Sequence, residues 1–254
     1  MLEKIQTASS GGAAIATCRS SDLPFTMAFQ PIVNVTTAEV FAYEALVRGP
    51  NNESAASVIS SVAEPDRYGF DQECRLRAVR LASRLGLDTT LSINFMPNAM
   101  HRPETCIRAT LDMARELDFP AHRLMFEVVE SERVRDRSHL KCIFREYKRL
   151  GFLTAIDDFG AGFSGLQLLA DFQPDVLKLD MQLTRDIDAD HARRAIVGAV
   201  MRMSHDLGIR VIAEGVERLG ECRALRDLGV ELMQGYLFAH PAFEALAAPN
   251  RVLH

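Results

Sequence analysis

Five carboxylates, an asparagine and a lysine fall toward the ends of short apolar runs in this chain. Glu44 lies in AYEALVRG, Asn94 in LSINF, Glu127 in LMFEVVE, Asp157 and Asp158 in LTAIDD, Lys178 in VLKLD and Glu214 in VIAEG; Gln234 in LMQGY extends the series. One polar residue near a strand end is ordinary, but one or two on run after run suggest a shared cavity. Carboxylates gathered in a cavity repel and resist ionisation unless cations hold them. All the candidate ligands are oxygen donors, with no His or Cys among them, which favours Mg²⁺ or Mn²⁺ over Zn²⁺. The adjacent pair in AIDDFGAGFSG is the sharpest signal. Taken alone it reads equally as a turn or as a metal site, although a turn needs only one aspartate. Two ions about 3.5–4 Å apart, bridged by one carboxylate, would use both aspartates.

Such residues need elements that bring them together. MAFQPIVNV and VFAYEALVRG read as two strands joined by a turn near Thr36–Glu39. Strands TTLSINF, RLMFEVVE, LTAIDDF, DVLKLD, RVIAEG and ELMQGYLF then follow, separated by amphipathic segments such as FDQECRLRAVRLASRLG and ADHARRAIVGAVMRMSHDLG. HLKCIFREYKRLG closes near Gly151. Strand–helix alternation argues for parallel strands covered by helices. Seven or eight such strands suit an α/β fold of the (β/α)8 TIM-like barrel type better than an open sheet, and a barrel gathers its strand ends at one mouth. The opening hairpin departs from the regular β–α start.

The 254 residues allow two small domains or one large α/β domain, and a hydrophobic content of 48% is ordinary for a folded chain. A net charge of −5 gives no electrostatic grip on DNA, RNA or an anionic membrane. Cys18, Cys74, Cys106, Cys142 and Cys222 lack metal or disulfide spacing. No signal peptide and no membrane-length apolar run is visible, so a cytoplasmic protein is expected. Residues 1–24, rich in Ser, Gly and Ala, read as a flexible leader before a domain at 25–254.

From about Ala28 to Pro241, ordered blocks carry a close resemblance: FQPIV, YEALVRG, SINFMP, FEVVES, AIDDFGAGFSGL, DVLKLD, VIAEGVE and MQGYLFAHP. Glu44-Ala45-Leu46 is the tripeptide that names the EAL family of cyclic di-GMP phosphodiesterases, which this chain resembles in block order and spacing. The resemblance implies a barrel with an antiparallel first strand. It also implies hydrolysis of cyclic di-GMP to linear pGpG in bacterial second-messenger signalling, with two Mg²⁺ or Mn²⁺ ions and inhibition by Ca²⁺. Glu44, Asn94, Glu127 and Asp157 match the ligands of one metal; Asp157, Asp158 and Glu214 match those of the second. Lys178 matches the lysine that holds or activates the attacking water, and with Glu214 and Glu44 forms the implied catalytic set. The formal base stays open between Lys178 and a carboxylate such as Glu214. Gln30, Arg48 and Gln234 match substrate-side positions. Glu130 matches a glutamate anchoring the loop after the paired aspartates, through which the site communicates with a homodimer interface. Control is expected through that dimer, a separate sensory or regulatory protein, or a larger parent chain.

The loop departs from the family pattern. Ala161, Phe163 and Gly165 stand where Thr, Tyr and Ser are common, which removes a hydroxyl that could tether it. PNNES replaces a common Trp and His-Pro at the rim. The alternative reading is a non-catalytic cyclic di-GMP receptor of the same fold, but such receptors typically lose the naming glutamate or the paired aspartates, and this chain keeps Glu44, Asp157 and Asp158. A Mg²⁺ enzyme that forms an enolate with Lys178 as base has no use for Gln30 and Arg48. Two local readings remain beside these: Lys178 as the salt-bridge partner of Asp180, and DIDAD at 186–190 as a solvated start to a helix.

Overall fold

The computed structural model describes residues 24–96, 103–129, 137–162 and 165–250. The expected leader (apart from its last residue), Glu130 and Phe163 lie outside the described residues. The hairpin is β1 (Thr26–Asn34) against β2 (Glu39–Arg48), antiparallel from Thr26↔Arg48 to Asn34↔Glu39. From β2 the sheet continues in parallel through β3 (Thr90–Asn94), β4 (Leu124–Val129), β5 (Leu153–Phe159), β6 (Val176–Leu179), β7 (Arg210–Ala213) and β8 (Leu232–Met233). β8 pairs antiparallel with the far end of β1 at Val33 and Asn34, which closes an eight-stranded barrel. A short β9 (Ala242–Phe243) pairs with β1 at Ala28, so Pro31, which has no N–H to offer a ladder, falls between the two pairings.

Helices α1 (Ala55–Ser60), α2 (Arg67–Arg84), α3 (Pro103–Glu116), α4 (Arg137–Arg149), α5 (Gly165–Asp171), α6 (Met181–Thr184), α7 (His191–Asp206) and α8 (Leu219–Asp227) connect the strands. Their limits have local causes. Asp190 caps α7 by accepting from the amides of Ala192 at 2.8 Å and Arg193 at 3.0 Å. Past α4 the chain turns at Gly151, whose φ of 85° needs a residue without Cβ. Among the described residues no helix is long and apolar enough to cross a membrane.

Because side chains alternate along a strand, the barrel separates two cores. Ile32, Ala42, Met125, Ala155, Val176, Ile212 and Leu232 form an interior layer. Their strand neighbours, including Tyr43, Phe126, Ile156, Leu177 and Met233, face out and join the larger core beneath the helices. One sequence expectation is shortened: ELMQGYLF is extended only over Leu232–Met233. Beyond it a Cβ on Gly235 would lie 2.1 Å from the Val216 carbonyl oxygen, so the backbones are in contact there, and Phe238 and Ala239 turn back to bond the Gly235 carbonyl.

Candidate metal centre

The candidate residues occupy the next interior layer toward the mouth. On four strands, and one residue past the ends of β7 and β8, the polar residue follows an interior apolar one by two positions: Ala42 and Glu44, Met125 and Glu127, Ala155 and Asp157, Val176 and Lys178, Ile212 and Glu214, Leu232 and Gln234. On β1, which runs the other way, Gln30 precedes Ile32 by two and lies opposite Glu44. The apolar layer is thus a dry floor, and the pleat aims the polar residues into one cavity above it.

Asp158 breaks this period, and the structure shows how. Regular pairing of β5 with β6 aligns Ile156 with Leu177, but then Phe159 with Leu179, so β5 carries one extra residue opposite Lys178. Asp158 adopts a left-handed φ of 55°, its amide bonds the Asp157 carboxylate at 2.9 Å, and its carbonyl accepts from Ala161 at 3.0 Å. In an unbroken strand adjacent residues face opposite sides; the bulge turns both aspartates inward.

Lys178, fully buried, is the hub. Its Nζ lies 2.7 Å from Glu214, 2.9 Å from Glu127, 3.1 Å from Asp157 and 3.4 Å from Glu44. Burial alone would lower its pKa, but the surrounding carboxylates, Asp157 foremost, hold it well above the usual lysine value. One ammonium does not neutralise so many acids. Burial pushes Glu127 up to about 8 against the opposing pull of Lys178, and raises Glu214 well above the carboxylate range. Asp158 is raised to about 6, by burial and then by Asp157 and Asp180. Glu44, Glu127 and Asp157 can offer oxygens within 4.8 Å of one another, as can Asp157, Asp158 and Glu214. These overlapping sets share Asp157, and their oxygen donors fit hard divalent cations. Asn94 donates to Glu44 at 3.0 Å, which keeps its carboxamide beside the first set.

Two amides close the opposite wall. Gln234 donates to Glu44 at 2.8 Å and to Gln30 at 3.1 Å, while Gln30 donates to the Ala239 carbonyl at 3.0 Å. Gln30, Glu44, Asp158, Glu214 and Gln234 line a cleft of about 240 Å³ together with Asp180, Glu217 and Tyr236. Arg48 stands apart: four residues beyond Glu44 on β2, it is at the rim, with its guanidinium donating to the Val47 carbonyl at 2.7 Å.

Sequence reasoning did not single out Ser92, which donates to Glu127; its position two before Asn94 on β3 was the available signal. Tyr236, stacked at 4.0 Å on His240, also borders the cleft without having been singled out. Asp180 is not the partner of Lys178; it caps α6 by accepting from Gln182 N at 2.8 Å. Within DIDAD, Arg218 binds Asp186 and Asp188, each at 2.8 Å, so the segment is fastened to the start of α8 rather than simply solvated.

Comparison with known proteins shows the family and the fold. A family model described as the EAL domain matches residues 19–241. The cyclic di-GMP-bound form of a standalone versatile EAL protein from Vibrio cholerae O395 is 56% identical with a TM-score of 0.89, covering 91% of this chain and 98% of that one. BlrP1 from Klebsiella pneumoniae, in its manganese and cyclic di-GMP complex at pH 9.0, is 38% identical with a TM-score of 0.83, covering 87% and 57%. Its calcium complex with the same nucleotide is 37% identical with a TM-score of 0.85, covering 89% and 58%. The probable cyclic di-GMP phosphodiesterase PdeI of Escherichia coli K12 is 30% identical over 230 residues, 85% of this chain and 28% of that protein. The chain spans about half the length or less of the curated relatives it matches.

Proposed function

The chain belongs to the EAL domain family, and from that premise we propose that it is a two-metal phosphodiesterase that opens cyclic di-GMP to linear pGpG. The observation that carries this reading is the pair of overlapping three-carboxylate sets sharing Asp157 at the barrel mouth. Glu44, Asn94, Glu127 and Asp157 would hold one Mg²⁺ or Mn²⁺ ion, and Asp157, Asp158 and Glu214 the other. Such ions, when bound, acidify a water and neutralise charge on the attacking and leaving oxygens of a phosphodiester.

The chain's own residues do the rest. Lys178 is a fixed donor between Glu214 and Asp157, placed to hold a water by its oxygen. The surrounding carboxylates hold Lys178 as an ammonium, so Glu214, 2.7 Å from it, is the group placed to take that water's proton. Beside their bonds within the wall opposite, Gln30 keeps one amide N–H and Gln234 its carboxamide oxygen, which offer sugar or phosphate groups a donor and an acceptor without adding charge. Arg48 at the rim has the planar fork that grips a phosphate. The apolar floor keeps bulk water from below, which strengthens every electrostatic contact above it.

The test is incubation of the purified protein with cyclic di-GMP in Mg²⁺, in Mn²⁺ and in EDTA, with chromatographic separation of the products. Linear pGpG in either metal and none in EDTA supports the proposal. Nucleotide bound but uncut in both metals would replace it with a receptor.

A further inference from the structure

We propose that Asp71 is a positioning residue for Asn94, acting through the backbone amide of Met96, with Arg75 as its buried counter-charge. Both side chains belong to α2, outside the barrel, and are 4% and 0% exposed. The Asp71 carboxylate pairs with Arg75 one helical turn on, and its other oxygen accepts from the amide of Met96 at 2.9 Å. That amide lies where β3 runs out. Pairing with β2 stops at Ile93 and pairing with β4 at Asn94, so Asn94 is the last residue the ladder holds. The next amide, of Phe95, bonds the Glu127 carbonyl at 3.0 Å; the one after is taken by Asp71. The two bonds together fix the direction in which β3 leaves the barrel, and so the reach of the Asn94 carboxamide toward Glu44.

Burying an ion pair is weak as a source of stability, since apolar residues of similar volume commonly serve as well or better. The pair's distinctive contribution is the acceptor it presents to Met96. The consequence for metal affinity rests on the two-metal reading; the backbone pin does not.

Two double variants separate the acceptor from the charge. Asp71→Asn/Arg75→Met keeps an oxygen for Met96, and Asp71→Leu/Arg75→Met removes it. We expect both to unfold at or above the wild-type urea midpoint. In EDTA, amide exchange followed by mass spectrometry rises about tenfold across Asn94–Met96 in the leucine variant alone. Calorimetry with Mn²⁺ shows an affinity about tenfold weaker in that variant, the scale of an outer-shell partner, and near wild type in the asparagine variant. Wild-type exchange in the leucine variant overturns the proposal, as does identical behaviour of the two variants. If wild type itself takes up no Mn²⁺, the two-metal reading fails while exchange still decides the pin. Should the leucine variant not fold, Asp71→Ala/Arg75→Met takes its place in the same comparison.

Discussion

At the scale of single residues, Asp157 and Lys178 have opposite charges and separable roles. Asp157 is the one carboxylate common to both candidate ligand sets. Asp157→Asn keeps its volume and removes its charge, so turnover of cyclic di-GMP should fall on the order of 10³-fold, with the unfolding midpoint in EDTA no lower than wild type. Wild-type product formation by this variant would remove Asp157 from the centre. Lys178→Met keeps the length of the side chain without the ammonium. Its expected phenotype is retained nucleotide binding by calorimetry with hydrolysis slowed roughly 10²–10³-fold, the usual span for removing one fixed charged donor. Unchanged hydrolysis would show that Lys178 only balances charge.

At the scale of elements, the strand ends are held by backbone as much as by side chains. β7 ends at Ala213, and the Glu214 carbonyl beyond it accepts from the Thr184 hydroxyl of α6, while the Val216 amide bonds the Gln234 carbonyl at 3.1 Å. Gly235 sits against that crossing, with no room for a methyl group beside Val216. Gly235→Ala should therefore lower stability by about 1–3 kcal/mol in a urea melt and weaken nucleotide binding through displaced Gln234. A variant as stable as wild type, with unaltered affinity, would mean that the crossing opens freely. The bulge in β5 is the complementary device: it admits one additional carboxylate to the cavity where a regular strand would direct it to the helices.

At the scale of the whole molecule, the carboxylates crowded at the barrel mouth are a burden whose size depends on pH. Glu127 is raised from its ordinary 4.5 to about 8, so between those values the folded chain binds more protons than the unfolded one. Stability must then fall as pH rises through that window, and it is fully present below about 4.5. Urea midpoints in EDTA should decline between pH 5 and 8 (roughly the window in which linkage acts), and Mg²⁺ or Mn²⁺ should restore them at the upper end. A midpoint flat in pH and indifferent to both metals would argue that the carboxylates bind no cation. Excess Ca²⁺ should bind but slow turnover, because it tolerates looser and higher coordination than Mg²⁺. Full turnover in Ca²⁺ alone would count against that geometry.

By itself the sequence determined the alternation of strands and helices, the antiparallel start and the donor chemistry of the centre. These are properties of near neighbours: a period of two along a strand, a turn where Gly151 sits, a set of candidate ligands with oxygen donors alone. It could equally well show that Glu44, Glu127, Asp157, Lys178 and Glu214 each stand toward the end of an apolar run. Only the tertiary structure decided what those residues do to one another. Barrel closure carries Gln234 to 2.8 Å from Glu44 across 190 positions, and it puts Lys178 among four carboxylates instead of beside Asp180. The inward turn of Asp158 depends on a register slip against a neighbouring strand, which no run of residues on its own strand records. Asp71 looked like any polar residue of an amphipathic helix until packing set it beneath the end of β3. Distances across the barrel depend on how every strand is tilted and paired, so they emerge only once the ring is closed.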